Sequence, residues 1–152
     1  MKKSLLLLLM FALISGSSFA FLNKSDIISN NESSIMIPDD DPAAAKFPKG
    51  AEIYKAKCVA CHQLTGEGIP GAFPPLKASD YLMADTKRAV QQVLNGSNEP
   101  ITVNGATYVI PMPFQVDTHE DAVAVINYVL NAWGNEGGTV KLEDVKDIKI
   151  VR

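Results

Sequence analysis

The stretch "KCVACHQLTG", residues 57–66, contains both cysteines of this 152-residue chain and one of its two histidines. Cys58, Cys61 and His62 follow one another at the spacing Cys-x-x-Cys-His. Two cysteines this close together serve three kinds of chemistry: a disulfide redox pair, a metal site, or the covalent attachment of a haem. The rest of the sequence discriminates among them.

Two of these chemistries fit the surrounding sequence poorly. A thioredoxin-type pair lies where a strand passes into a helix, whereas "PKGAEIYKAKC", residues 48–58, predicts a helix that runs into the motif. A structural zinc site needs four ligands, but the sequence offers no third cysteine and only His119 as a second histidine. A structural disulfide between Cys58 and Cys61 would close a very short loop and add little stability.

The third chemistry fits the motif directly, because Cys-x-x-Cys-His is the attachment signature of c-type haem. The thiols of Cys58 and Cys61 can form thioethers to the two vinyl groups on one edge of a porphyrin. The adjacent His62 can then bind the iron as proximal ligand. We therefore predict one covalently bound haem c.

The N-terminus agrees with haem attachment, which takes place outside the cytoplasm. The stretch "MKKSLLLLLMFALISGSSFA", residues 1–20, has a basic start, an apolar run and small residues at its end, as in a secretory signal peptide. The apolar run 5–14 is shorter than the roughly 20 residues that span a bilayer. We predict a periplasmic or otherwise exported protein. The alternative is that residues 1–20 remain as an uncleaved N-terminal anchor, and we expect membrane association only in that case.

Composition divides the remaining chain into three parts. Residues 21–46 are rich in Asn, Ser, Asp and Pro and lack a sustained period, which predicts a disordered linker. Residues 47–137 form the predicted domain, and residues 138–152 are predicted to be a C-terminal extension with a short surface helix.

The formal net charge of −3 argues against nucleic acid as a partner.

Three stretches resemble the class I c-type cytochromes: "GAEIYKAKCVACHQLTGEGIPGAFPPLKASDYL", "ITVNGATYVIPMP" and "DAVAVINYVLNAWGN". They occur in the order found in that family and cover about residues 48–137. The resemblance is especially close to the cytochrome c domains fused to some copper nitrite reductases. It implies a mostly α cytochrome c fold, with helices around one covalently bound haem and a small β-hairpin before the axial methionine.

The second axial ligand is predicted to be Met112. It lies in "IPMPF", where flanking prolines keep the chain extended, and the resembled family places its ligand methionine in a Met-Pro context. The other candidates for the ligand are Met36 in the linker, Met83 and His119. Met83 lies near the start of a predicted helix and is better explained as a core filler. We expect His119 to be an exposed residue in the first turn of the last helix.

The resemblance also implies two residues of the haem pocket. Pro74 and Leu76 match the Pro-x-Leu of the family. The proline carbonyl there accepts a hydrogen bond from the ligand histidine, which fixes its tautomer, and the leucine packs on the haem face.

Sequence patterns predict the helices that frame this pocket. Residues 85–96 form a helix with Asp85 as N-cap and Gly96 at its end. The last helix begins after Thr118 and is predicted to end at Gly134. The resembled family crosses its first and last helices, with the contact positions matched by Gly50, Tyr54 and Tyr128. Between the two later helices, residues 101–109 alternate around Asn104-Gly105, which favours a two-stranded hairpin.

The expected function is that of a mono-haem, one-electron carrier between respiratory redox partners, and not of an enzyme. The resemblance suggests a nitrite reductase or a terminal haem–copper oxidase as partner, and we expect a monomer. Two alternatives remain: a haem subunit of a larger oxidoreductase complex, and a haem enzyme or gas sensor in which Met112 dissociates.

Overall fold

The structure, a computed structural model, describes residues 41–151. The predicted signal peptide and residues 21–40 of the predicted linker, with Met36, lie outside this range. The described part is mostly α-helical, with one antiparallel two-stranded sheet and two 3-10 turns, Ala132–Gly134 and Leu142–Asp144. Its helices and strands are, in chain order, α1 Pro42–Lys46, α2 Pro48–Lys57, α3 Val59–His62, α4 Asp80–Ala84, α5 Thr86–Asn95, β1 Ile101–Val103, β2 Ala106–Tyr108 and α6 His119–Val129. Within residues 41–151, no helix combines the length and apolar character needed to cross a membrane.

The core is built on the crossing of α2 with α6, as the family resemblance implies. The two backbones meet at Gly50, where a Cβ would lie 2.7 Å from Tyr128 Cβ and 2.8 Å from the carbonyl carbon of Ala124. Tyr54 and Tyr128 are both buried at the crossing, with ring centroids 5.4 Å apart. Only glycine permits the two helices to approach this closely.

The predictions for α5 and the hairpin are also confirmed. Asp85 caps α5, since its Oδ1 accepts a hydrogen bond from the Arg88 backbone N–H at 2.9 Å. Gly96 ends the helix with a φ of +80°. Asn104 and Gly105 both have positive φ, as a two-residue hairpin turn requires, and β1 pairs with β2 on either side of them.

The linker prediction is wrong for its last residues, because Pro42–Lys46 form the helix α1. Asp41 Oδ1 accepts from the Ala43 backbone N–H at 2.9 Å, and Pro42 stands in the first turn. Ala43 is buried against the core. Capping and burial together offset the ordering entropy of this short segment, and composition alone does not show that burial.

The predicted end of the last helix is also wrong. Thr118 caps α6 as expected, with Oγ1 accepting from the Asp121 N–H at 3.1 Å, but the helix ends at Val129. Trp133 lies beyond it in a 3-10 turn with a φ of +56°. Its indole Nε1 donates to the Leu64 carbonyl at 2.9 Å. This bond to the loop after the Cys-x-x-Cys-His motif takes Trp133 out of the helical path.

The C-terminal segment 138–152 differs from the predicted surface helix. Its described residues, 138–151, contain only the 3-10 turn Leu142–Asp144, and three of its apolar residues, Val140, Val145 and Ile148, are buried in the core of the domain. The Ile148 carbonyl lies 2.9 Å from Nε2 of His119, which is half-buried and not exposed as expected. The segment belongs to the domain because these three apolar side chains are part of the shared core rather than of a separate surface element.

Candidate haem-binding site

One cavity of the described chain brings together every site residue that the sequence predicts. Neither Met83 nor His119, the described alternatives for the second ligand, is among the residues that line it. The predicted residues in its lining are Cys58, Cys61, His62, Pro74, Leu76 and Met112.

The Cys-x-x-Cys-His motif forms the junction of α2 and α3. Cys58 caps α2, with its N–H donating to the Tyr54 carbonyl at 2.9 Å. The Cys58 carbonyl in turn accepts from the N–H groups of Cys61 and His62, at 3.2 and 2.9 Å. This single turn of helix holds the three functional side chains on one wall of the cavity.

The two thiols are not joined in a disulfide. Cys58 is buried, and this burial raises the pKa of its thiol to about 12, with the neighbouring Cys61 adding a smaller effect. A thiol that stays protonated is a poor nucleophile and a poor metal ligand. A thioether, in contrast, carries no charge and loses nothing by burial. The environment of Cys58 therefore suits haem attachment better than thiol redox chemistry or zinc binding.

His62 has its ring fixed by the loop that follows it. Nδ1 lies 3.0 Å from the Pro74 carbonyl oxygen, the contact expected of Pro74. Because a carbonyl can only accept, Nδ1 carries the proton and Nε2 keeps its lone pair for a metal. Burial lowers the pKa of His62, and the bond to Pro74 opposes this effect. The neutral imidazole required of an axial ligand is therefore favoured.

Two glycines, which the sequence interpretation did not single out, close this loop. Gly68 has a φ of +66°, and a Cβ there would lie 2.7 Å from the Pro74 carbonyl carbon. Gly66 has a φ of +70° and packs on the indole of Trp133, and its carbonyl accepts from the Leu76 N–H at 2.8 Å. The available signal was the run of glycines between His62 and Pro74, whose positive φ no other residue adopts easily.

Met112 is held at the end of α5 rather than at the tip of the hairpin. Its N–H donates to the Ser97 carbonyl at 2.9 Å, and its own carbonyl accepts from the Ser97 N–H at 2.8 Å. Pro111 and Pro113 on either side keep the segment extended. The preceding Gly96 leaves room for it, since a Cβ there would lie 2.7 Å from the Met112 carbonyl oxygen.

The hairpin itself is fastened to α4 through one polar side chain at its tip. Asp80 Oδ1 accepts from the backbone N–H of Asn104 at 2.7 Å, and Asn104 Oδ1 accepts from the Asp80 N–H at 3.0 Å. Asn104 Nδ2 also donates to the Ala78 carbonyl at 3.1 Å. The segment that carries Met112 is thereby held at its base by the pairing of Ser97 with Met112 and at its tip by Asn104.

The residues present fit a covalently attached haem. The motif offers two thiols and an imidazole to the cavity, and the segment around Met112 offers a methionine sulfur. Histidine and methionine are the axial pair of c-type cytochromes. Apolar side chains from α4, α5, the hairpin and α6 complete the walls; among them are Leu82, Val93, Val103, Val125, Ile126 and Val129.

Comparison with known proteins agrees with this chemistry. The sequence model of the family described as "Cytochrome c" matches residues 47–133. The chain belongs to the cytochrome c family. Members of the family carry electrons on a covalently bound haem c and are not themselves enzymes. The mostly helical architecture with one small sheet is that of a cytochrome c.

This cytochrome c is similar to cytochromes c-552 and to cytochrome c subunits of quinone alcohol dehydrogenases. Cytochrome c-552 of Thermus thermophilus is 38% identical over 91 residues, which cover 57% of this chain and 69% of the relative. A second cytochrome c-552, from a named strain of the same species, is also 38% identical, and 61% of its length is covered. The cytochrome c subunit of the quinone alcohol dehydrogenase of Gluconobacter oxydans is 29% identical over 103 residues, and only 22% of that subunit is covered.

Proposed function

We propose that this protein is a mono-haem, one-electron carrier in which Cys58 and Cys61 form the thioethers and His62 and Met112 bind the iron. The observation that carries the proposal is the convergence of these four side chains on one cavity, with His62 Nδ1 committed to the Pro74 carbonyl. The haem, when bound, supplies the one-electron couple between Fe(III) and Fe(II).

The residues of the chain have distinct tasks in this carrier. Cys58 and Cys61 tether the ring, so that oxidation and reduction occur without loss of the cofactor. His62 and Met112 would both bind the iron, and an iron saturated in this way would leave no position for a substrate. Leu76, one of the half-buried residues of the lining, helps to keep water from the iron. A soft sulfur ligand would favour the ferrous state.

We place the carrier outside the cytoplasm, with respiratory proteins as partners. Residues 1–20 have the pattern of a signal peptide, and haem attachment requires export. The resemblance to domains fused to copper nitrite reductases favours such a reductase, or a haem–copper oxidase, as electron acceptor. Such encounters are small and transient, which agrees with a monomeric carrier.

A second form of this function has its own support. The similarity to a cytochrome c subunit of a quinone alcohol dehydrogenase fits a haem domain that works as a permanent subunit of a larger oxidoreductase. Purification from the native source separates the two forms. A free carrier elutes at the size of a single chain, whereas a subunit elutes with its complex.

The cysteine assignment is tested by a denaturing gel stained for haem. Replacing both Cys58 and Cys61 with Ser should abolish the stained band, since no covalent bond then holds the ring. Single replacements should weaken it. Undiminished staining of the double variant would contradict the proposal.

The ligand assignment is tested by one substitution made at two positions. Met112→Ala should remove the near-red sulfur–iron charge-transfer band and lower the reduction potential. Met83→Ala is the matched control, because Met83 does not line the cavity. Its sulfur lies beside Gly137 instead, since a Cβ at Gly137 would lie 2.8 Å from it. If the band survives Met112→Ala and disappears in Met83→Ala, the assignment is reversed.

Carbon monoxide distinguishes a carrier from a sensor or enzyme. With Met112 firmly bound, the reduced wild-type protein should bind carbon monoxide slowly, and Met112→Ala should bind it rapidly. Equally rapid binding by both proteins would favour a labile methionine.

A further inference from the structure

Asn135 is a buried polar residue that does not line the haem cavity. It lies at the end of the 3-10 turn after α6, and only 8% of its surface is exposed. Its Nδ2 donates to the carbonyls of Val129 and Leu76, at 2.8 and 3.0 Å. Its Oδ1 accepts from the Ala78 backbone N–H at 2.8 Å. One side chain thereby joins the end of α6 to the chain that runs from Leu76 to Ala78.

The chain held by Asn135 leads directly to the partner of the ligand histidine. Leu76 is separated from Pro74 by Pro75 alone, and the ring of Pro75 fixes one of its two backbone dihedrals. A displacement of Leu76 therefore moves the Pro74 carbonyl. That carbonyl oxygen lies 3.0 Å from Nδ1 of His62. The bond that orients the imidazole thus depends on a residue that touches neither ring nor cavity.

Ala78 is held in a conformation that alanine does not favour. Its φ is +49°, in the left-handed region, which costs an alanine roughly 1–2 kcal/mol. Its N–H donates to Asn135, and its carbonyl accepts from Asn104 Nδ2 at 3.1 Å. A strained residue persists where its surroundings hold it in place. Loss of the Asn135 side chain would let Ala78 relax and would displace the chain next to it.

The place of the Pro74 carbonyl matters for the electronic character of His62. A carbonyl that accepts from Nδ1 raises the basicity of the imidazole. A more basic imidazole would donate more strongly to the iron and favour Fe(III). The burial of His62 keeps bulk water from competing with the carbonyl while Pro74 stays in place.

We propose that Asn135 is a positioning residue for the axial ligand His62, holding Pro74 so that its carbonyl stays bonded to Nδ1 and thereby lowering the reduction potential. This inference rests on the proposed haem site. The alternative is an asparagine that only stabilises the fold, by joining the end of α6 to a neighbouring loop.

The test uses the protein with haem attached and compares one substitution at two positions. Asn135→Ala removes all three bonds. Asn131→Ala is the matched control, because Asn131 Nδ2 donates at 2.8 Å to the carbonyls of Asn127 and Gly138, which lie apart from the His62 loop. The measurements are the rate of deuterium exchange at His62 Nδ1, followed by NMR of the ferrous protein, and the reduction potential. A purely stabilising role would move neither.

Asn135→Ala should speed exchange of the His62 ring proton about tenfold, the factor that one weakened hydrogen bond supplies. It should shift the ferric-to-ferrous ratio at a fixed potential about threefold toward ferrous, because the imidazole becomes less basic. Asn131→Ala should lose stability but leave both quantities at their wild-type values.

A second variant and a wild-type measurement decide the question if Asn135→Ala does not mature. Asn135→Asp keeps the size of the side chain and the acceptor for Ala78, but it turns a carboxylate oxygen toward the Leu76 carbonyl, and it should also speed exchange at His62. In the wild-type protein the amide of Ala78, an exposed residue, should exchange far more slowly than in an unfolded chain. Exchange of that amide at the unfolded rate would show that Asn135 does not hold this chain.

Equal exchange rates at His62 in wild type and in a matured Asn135 variant would overturn the inference, as would a potential that is no higher in Asn135→Ala than in Asn131→Ala. The proposed function would survive either result, provided that the variants stain for covalent haem. Absence of covalent haem from the wild-type protein would instead remove the proposed function itself.

Discussion

The hydroxyl of Tyr128 donates a hydrogen bond of 2.8 Å to Oδ2 of Asp41, and so joins the first described residue to the C-terminal half of α6. The other oxygen of the same carboxylate caps α1. Asp41 and α1 precede residue 47, where the match to the cytochrome c family begins. This chain therefore extends the matched region with a helix docked where α2 and α6 cross.

Truncation should reveal the contribution of α1. A chain that starts at Phe47 should bind haem with an unchanged spectrum but unfold about 1–3 kcal/mol more easily, because it loses the cap and the bond to a buried tyrosine. A chain that starts at residue 38 is the control and should match the full mature protein. Denaturant unfolding of the ferric protein measures the difference. Equal stability of the two chains would mean that α1 contributes nothing.

Alkaline pH should weaken the fold through the buried tyrosines. Burial raises the pKa of Tyr54, and burial followed by the bond to Asp41 raises the pKa of Tyr128. The contributions of both tyrosines to the free energy of unfolding are complete below pH about 10, which is the pKa of tyrosine in the unfolded chain. Above that pH they are lost, because the unfolded chain then releases protons that the folded chain retains.

The variant Tyr128→Phe isolates one of these two groups. It should be less stable at neutral pH, since Asp41 loses its donor, yet its stability should fall less steeply above pH about 10. The slopes should differ by about 1.4 kcal/mol per pH unit for the one group removed. Parallel slopes for wild type and variant would show that Tyr128 ionises as readily in the folded protein as in the unfolded chain.

Gly50→Ala should disrupt the helix crossing. Its Cβ would meet the Tyr128 Cβ and the α6 backbone at distances that no rotamer relieves, and we expect a loss of about 3 kcal/mol. Gly71→Ala is the control: its Cβ would meet no atom within 4 Å, so that it bears only the strain of a positive φ, about 1 kcal/mol. A smaller loss for Gly50→Ala than for Gly71→Ala would be inconsistent with the tight crossing.

The buried part of the C-terminal segment is tested by one substitution at two sites. Val145 is fully buried, and Val145→Ala should cost about 2 kcal/mol through lost burial and a residual cavity. Val151 is 63% exposed, and Val151→Ala should change stability by less than about 0.5 kcal/mol. Similar effects at both positions would mean that the segment does not pack as described.

Removal of residues 21–40 of the predicted linker tests the interaction with a partner rather than the haem site. The segment should be dispensable for the spectrum and the potential, because its composition predicts disorder. The apolar stretch "SIMIP" could nevertheless dock on a partner. The second-order rate of electron transfer to a candidate reductase or oxidase should be the same with and without residues 21–40, and a large loss of rate would overturn the passive-linker interpretation.

The sequence predicted those parts of the fold whose determinants are local. The caps Asp85 and Thr118 and the turn Asn104-Gly105 are each decided within a few residues. The spacing of Cys58 and His62 likewise indicates its chemistry without tertiary context. Resemblance supplied Pro74, whose carbonyl meets His62 from the far side of a loop.

The parts that the sequence left unpredicted depend on distant partners. Residues 42–46 are too few to show a period, and their helix is held in place because Asp41 reaches Tyr128. Trp133 continues the apolar period of α6, yet its indole bonds to Leu64 and turns the chain away. Arg88 looks like a surface residue of an amphipathic helix until the cavity beside it is seen.

The paired backbone bonds between Ser97 and Met112 have a consequence for the speed of electron exchange. They hold the backbone of Met112 at the neck of a closed loop, where two covalent paths and two hydrogen bonds converge, rather than on a swinging arm. A methionine whose backbone is restrained in this way would change its distance from the iron very little when one charge is added or removed. The atoms around the iron then need little rearrangement between oxidation states, and the activation barrier that such rearrangement imposes stays low.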